Sequence, residues 1–531
     1  MFPIFAGNSA STGYNLTRSL RFRASASGYL NRTVGTPTNN KIFTVSNWVK
    51  RGSLGSRQGL IGATNAGASN YWMVQFDVAD TLTVYDAFSG GVALTTTQVF
   101  RDPSAWYHIV VVQDTTQATA SNRIKLYVNG SQVTSFSVAT YPTQNSNTYF
   151  NASGSVASVG SWNPFATPFY YDGYQTEINF IDGQALTPSS FGSTNALTGV
   201  WQPARYTGTY GTNGFYLPFT DNSALTTSSN VGLGKDFSGN ANYWVTNNIS
   251  ITAGVTYDSM TDVPTLTSAT AANFAVLNPL QNYGTMTNGN LTFAGSSEST
   301  VGTIAVSSGK TYYEVTVSTL GTSAFLGFAN LTWQGKDNSW SYSQTWVYIA
   351  SGNKGGNGST GAYGASYTTG DVIGIALDST TGTLEFYKNN TSQGVAFSTG
   401  LAGVVLVPFV ATATPSTTTL NANFGQRPFT YTPPTGYVAL NTFNIAAGTV
   451  TTSGSFTGNL SADGPFVYLN GVPTAMTING NAITFGTQAD KLANGFKVRS
   501  ASALYNLVTS NTYSVTTNGA VFKNANAQGN P

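Results

Sequence analysis

The sequence predicts an all-β protein built from tandem sandwiches, and three observations carry that prediction. Strong helix formers never recur at 3.6-residue spacing over a long window. Short β-branched and aromatic runs recur instead, each bounded by Gly, Asn, Asp or Pro. Only 8% of the 531 residues are charged, against about 25% in an ordinary soluble domain, so solubility rests on Ser, Thr, Asn and Gly.

In chain order, the runs at 43–48, 107–113 and 123–128 read as strands of a first sandwich. Those at 312–317, 371–377 and 383–387 read as strands of a second. Two stretches are alike. Residues 109–114 (IVVVQD) lead through a polar loop to 124–130 (IKLYVNG), and 373–378 (IGIALD) lead through Ser-Thr-Thr-Gly to 384–390 (LEFYKNN). Each is a buried strand ending in Asp, a turn, a strand carrying Tyr, then Asn-Gly or Asn-Asn. Those residues tolerate the positive φ of tight hairpins. A third, small β region follows, in which 466–473 and 478–481 read as hairpins.

The composition excludes several classes of function. A net charge of +2 supplies no basic face for nucleic acid. With no cysteine and one histidine, His108, thiol chemistry, disulfides and His-rich metal sites are impossible. The high aromatic content argues against disorder. The N-terminus lacks a basic region and an apolar stretch of signal-peptide length. No run approaches the roughly 20 apolar residues of a membrane helix, so no membrane insertion is expected. Few Lys and Glu with many Thr and Asn suggest a protein that works outside a cell without being secreted by the usual route.

The first half resembles the concanavalin A-like lectin/glucanase superfamily in its laminin G-like form. The matching pieces fall in the family's order: 19–22 (SLRF), 43–50 (FTVSNWVK), 105–110 (AWYHIV), 126–130 (LYVNG) and 171–180 (YDGYQTEINF). The phrase Lys235-Asp236-Phe237-Ser238-Gly239-Asn240, which usually opens such a module, here follows it, so a closing strand near 215–219 is expected from the C-terminal side. Residues 288–441 resemble a SPRY domain through 312–315 (YYEV), 325–328 (FLGF), 370–378 (GDVIGIALD), 386–390 (FYKNN) and 423–425 (NFG). Both resemblances imply concanavalin A-like jelly-roll sandwiches. The expected organisation is an N-terminal arm and particle anchor at 1–15, a laminin G-like domain with an extension at 16–265, a SPRY domain at 266–441 and a small β domain at 442–531. The whole also looks like structural proteins of marine tailed phages, a resemblance that implies a virion tail fibre or exterior appendage.

Few residues could carry chemistry. Glucanases of this fold place Glu-x-Asp-x-x-Glu on one strand so that two carboxylates flank the bond, and no such cluster exists here. The glutamates Glu177, Glu298, Glu314 and Glu385 lie singly. His108, inside a β run beside Trp106, reads as a packed histidine. Asp77, Asp80 and Asp86 are spaced to contribute to a Ca2+ site, although turn capping or solvation accounts for them as well. Recognition needs less, because ligand rings stack on aromatic faces and neutral polar groups bind hydroxyls. The candidates are Trp333, Trp340 and Tyr342 in the SPRY region, and Tyr71, Trp72, Trp162 and Tyr171 in the first module. Trp346 and Tyr348 read as core.

The resulting expectation is a non-enzymatic virion protein on the exterior of a tailed phage. It would adhere to a host-surface glycan or protein, beside other virion subunits. The alternatives are a capsid-decorating or tail-connector protein and, less favoured, a polysaccharide depolymerase. Uncharged sandwich edges further predict a homo-oligomer, with a trimer favoured.

Overall fold

The computed structural model describes residues 13–445, apart from 65–69, 88–90, 163–167, 196–198, 224, 226, 334–343 and 357, together with short strands between 453 and 522. Compact units meet in the sequence at residue 444. The first unit holds both sandwiches, and nearly every pairing in it is antiparallel.

In the first sandwich, one sheet runs Ser131–Gln132, Ile124–Val128, Trp106–Asp114, Ile42–Arg51, Gly173–Asp182, Ser19–Phe22, Ser259–Met260. Its mate runs Phe136–Thr140, Val92–Val99, Thr81–Asp86, Tyr71–Phe76, Gln58–Thr64, Val156–Val159, Tyr29–Thr33, Val245–Asn247. Leu20, Phe43, Trp72, Val74, Val111 and Phe180 pack between them. Alternate residues of Tyr71–Phe76 enter this core, as the period of two requires. The expected late strand is present: Phe215–Leu217 pairs with residues 178–180 of the central strand. The Lys235–Asn240 phrase explains its seat, because Asp236 Oδ1 accepts the Tyr216 N–H at 2.8 Å and also the N–H of Ser238.

In the second sandwich, one sheet runs Leu277–Asn282, Ser299–Gly302, Leu406–Thr412, Ala324–Asn330, Thr345–Ile349, Asn353–Gly356, Ser359–Ala362. The other runs Thr285–Thr287, Thr292–Gly295, Thr418–Asn423, Lys310–Thr319, Val372–Asp378, Thr383–Lys388, Thr391–Phe397. Val438–Ala439 adds to Lys310–Thr319 in parallel. Val301, Phe325, Val347 and Phe409 belong to one buried cluster.

The two similar hairpins fold alike, down to one side chain. Asn129 and Gly130 take φ of 48° and 81°, and Asn389 and Asn390 take 45° and 68°, the left-handed values that a two-residue hairpin demands. Asn129 donates its N–H to His108 O and accepts the His108 N–H on Oδ1, both at 2.8 Å. Asn389 clasps Val372 in the same way, both at 2.9 Å.

In the second unit, Pro473–Ile478 turns back onto Asn481–Ala482, the hairpin expected near 478–481. Val467–Tyr468 pairs with Val521–Phe522 rather than closing a local hairpin. Among the described residues, no helix is long and apolar enough to cross a membrane.

Candidate functional site

A functional site needs groups left available by the fold. His108 is fully buried between Trp48 and Trp201, stacked at 4.8 and 5.9 Å. The Trp201 indole can only donate, and its Nε1 lies 2.9 Å from His108 Nδ1. Nδ1 is therefore an acceptor, and the proton sits on Nε2, facing Ser46 Oγ at 2.8 Å. Burial lowers the imidazole to about 3. The single histidine is a neutral packing element.

Glu177 occupies the middle of Gly173–Asp182 at φ 53°. There the register with Ile42–Arg51 jumps from Thr176↔Trp48 to Asn179↔Ser46. Two residues thus oppose one, a bulge whose left-handed position glycine usually fills. The bulge turns the carboxyl towards Tyr216, which donates to Oε1 at 2.6 Å, and Tyr14, at 3.2 Å from the same atom. The two hydroxyls are 2.5 Å apart, and the Arg205 guanidinium lies over the Tyr216 ring at 4.6 Å. Burial raises Glu177 to about 7, while the tyrosine hydrogen bonds and Arg205 pull it back. In the sequence Glu177 stands single, and its strand mixes polar and apolar residues on both faces, so nothing local marks the carboxyl as buried.

The other acids are consumed locally. Glu314 accepts the N–H groups of Thr430 and Tyr431 at 2.8 and 2.9 Å, and burial raises it. The acidic trio is not brought together. Asp80 pairs with Arg51 at 2.9 Å and Arg101 at 2.8 Å, Asp77 with Arg57 at 3.3 Å, and buried Asp86 accepts from Gln113 Nε2. Among the described residues, no group of three or more metal-ligating side chains converges.

A further polar cluster joins residues far apart in the chain. It lies in the seam between the two sandwiches. Lys50 Nζ donates to Asp262 Oδ2, Asn273 Oδ1 and Phe274 O at 2.7, 2.7 and 2.8 Å. Burial pulls the ammonium down and pushes Asp262 up, and their attraction opposes both shifts. Arg21 and Arg23 share Asp258. Val255 O accepts from both Arg21 and Arg427. Asp172 accepts the Gly289 N–H at 2.5 Å, and Tyr174 donates to Gly289 O at 2.9 Å. Gly289 has φ 69°, and a Cβ there would lie 2.8 Å from the Tyr174 ring, so this contact requires glycine.

Most of the aromatic candidates are not on the surface. Trp72 is fully buried and donates Nε1 to Gln113 Oε1 at 2.9 Å. Tyr171 is fully buried and donates to Lys50 O. Trp162 is buried against Phe169, with centroids 5.4 Å apart. Trp333 is buried edge-on to Phe409 at 4.9 Å. None of these four faces can receive a ligand ring, because protein already covers them. Tyr71 is half-buried, stacked on Tyr85 at 5.3 Å. Trp340 and Tyr342 lie outside the described residues. Trp346 and Tyr348 are core. Among the large apolar residues that the SPRY-like sandwich does expose are Leu280 at 50%, Tyr283 at 42% and Leu331 at 38%. Leu280 and Leu331 flank a tie from Gln281 Nε2 to Trp333 O, 2.7 Å long.

Comparison with known proteins agrees with the fold. A model of the SPRY domain matches residues 310–427, and one of the concanavalin A-like lectin/glucanases superfamily matches 24–167. The chain is 33% identical over 134 residues to a Ran-binding proteins 9/10 homolog of Drosophila melanogaster, covering 24% of this chain and 13% of that one. It is 33% identical over 125 residues to Ran-binding protein 9 of Xenopus tropicalis, covering 23% and 22%. The chain thus spans less than a quarter of the length of these relatives. Among solved structures, the SPRY domain of human HERC1 is similar at 22% identity and TM-score 0.25, covering 28% of this chain and 96% of that one. A heptameric SAP-like pentraxin from Limulus polyphemus is similar at 14% identity and TM-score 0.23, covering 34% and 76%. The curated relatives overturn the expected phage tail-fibre role with its decorating and depolymerase alternatives, and the expected place on a virion exterior. They are animal Ran-binding proteins, not virion components.

Proposed function

We propose that this chain is a non-catalytic scaffold that recognises a protein partner through the SPRY sandwich. The observation that carries this reading is the exposure of the apolar side chains Leu280, Tyr283 and Leu331, the segments of Leu280 and Leu331 being joined by the bond from Gln281 to Trp333. Exposed apolar side chains gathered on a rigid module mark interaction surfaces. The relatives are named for a protein they bind, which supports a protein rather than a small molecule as partner. The absence of catalysis is supported by the acids and the histidine traced above, each closed off by structural partners.

The test is selection of peptides from a random library displayed on messenger RNA, with the full chain immobilised, followed by anisotropy titration of the enriched peptides. Leu280→Asp combined with Leu331→Asp should weaken those peptides about tenfold or more. No enrichment, or affinities unchanged in the double variant, overturns the partner surface. Release of reducing ends from polysaccharides, abolished by changing one carboxylate, overturns the non-catalytic reading.

A further inference from the structure

One sheet of the first sandwich ends on Phe136–Thr140, and residues 137–140 are exposed. The strand pairs with Val92–Val99 on one side, and no described strand pairs with the other. Its free N–H and C=O groups are a template for another strand unless charge, proline, a bulge or a cover guards them.

The other sheet ends among the described residues carry such guards or are short. Ser131–Gln132, Ser259–Met260, Val245–Asn247 and Thr285–Thr287 have two or three residues each, and Ser359–Ala362 has four. Leu277–Asn282 contains Pro279 and pairs irregularly. Thr391–Phe397 is longer, but its pairing shifts register twice. Two of its carbonyls are also capped, Gly394 O by the Tyr363 hydroxyl and Ala396 O by Lys354 Nζ.

Phe136–Thr140 has one register shift near its start and no other guard. No charged residue and no proline occurs from Ser131 to Tyr141. Its hydroxyls turn inward, Ser137 to Thr95 O and Thr140 to Gly91 O, and leave the outer ladder bare. Val138 is 45% exposed.

We propose that Phe136–Thr140 is a self-association edge, pairing antiparallel with the same strand of a second copy about a two-fold axis. The two eight-stranded sheets then become one continuous sheet. A second copy is the occupant because an isologous contact sets each side chain against its own neighbourhood. A charged strand would meet like charges directly opposite. This one meets Ser, Val, Ala and Thr, which are small and neutral. A partner chosen by charge finds nothing here to read.

Sedimentation velocity of the full chain across a wide concentration range tests this. The wild type should sediment as a concentration-dependent dimer. Val138→Lys combined with Ala139→Lys places a cation on each face of the edge and should sediment as a monomer with unchanged far-ultraviolet circular dichroism. Val78→Lys, at a more exposed valine outside any strand, should remain dimeric. Amide exchange over 136–140 should slow as concentration rises in the wild type and not in the double variant. A wild type that is monomeric throughout, a trimer, or a double variant that still dimerises overturns the proposal.

Discussion

The seam between the sandwiches and the outer edge of the first one treat charge in opposite ways. In the seam, Lys50, Arg21, Asp172, Asp258 and Asp262 are buried and tied to polar partners. At the edge, an exposed strand has no charge at all. Ordinary proteins do the reverse, because taking an ion out of water costs several kcal/mol unless geometry compensates. With only 8% charge available, this chain commits several of its ions to the contact between the two modules. A buried pair is poor evidence of net stability, but breaking it by removing one partner is costly.

Removing one seam partner gives the largest expected effect. Asp262→Ala leaves a buried ammonium unpaired, and urea denaturation should show a loss of about 3–5 kcal/mol. Lys50→Met with Asp262→Leu, which removes both charges, should lose far less. A loss below about 1 kcal/mol for Asp262→Ala, the value of a surface pair, would break the contrast between inside and outside.

Glu177 comes next. Its folded value of about 7 exceeds the ordinary 4.5, so the folded state holds the proton more tightly. The associated stability is fully present below about 4.5 and is lost as pH rises through 7. The span is roughly 3 kcal/mol. Glu177→Gln should flatten denaturation midpoints measured from pH 5 to 8 and raise stability at the upper end. An unchanged slope would show that this carboxyl is not the group responsible.

Asn129→Gly and Asn389→Gly keep the left-handed turn and delete the Oδ1 acceptor, at a cost of about 1 kcal/mol each. Similar losses in the two would sharpen the likeness of the two hairpins. The smallest effect belongs to Arg57→Ala, which removes an exposed pair with Asp77 and should shift stability by under about 1 kcal/mol, less still in high salt.

The hairpins were legible because local chemistry decides them. An Asn-Gly or Asn-Asn between two apolar runs has few other uses. The late strand at 215–217 was legible through its fixed place in a known order of motifs. The aromatic candidates were misjudged for a physical reason. Alternation separates the two faces of a strand but does not say which is wet, and Gly173–Asp182 is buried on both. Trp72 and Trp333 therefore looked as available as Tyr71. The seam was illegible because its partners lie far apart in the chain, Arg21 from Asp258 and Lys50 from Phe274, and each looks locally like an isolated surface ion.

That separation has a consequence for synthesis. A chain made from its N-terminus offers Arg21, Lys50 and Asp172 long before Asp258, Gly289 or Arg427 exist. Domains fold as they emerge, and half-made sheets with bare edges aggregate. The seam therefore cannot close until Asp258, Gly289 and Arg427 have all been made, so its contacts are completed after most strands of the first sandwich exist.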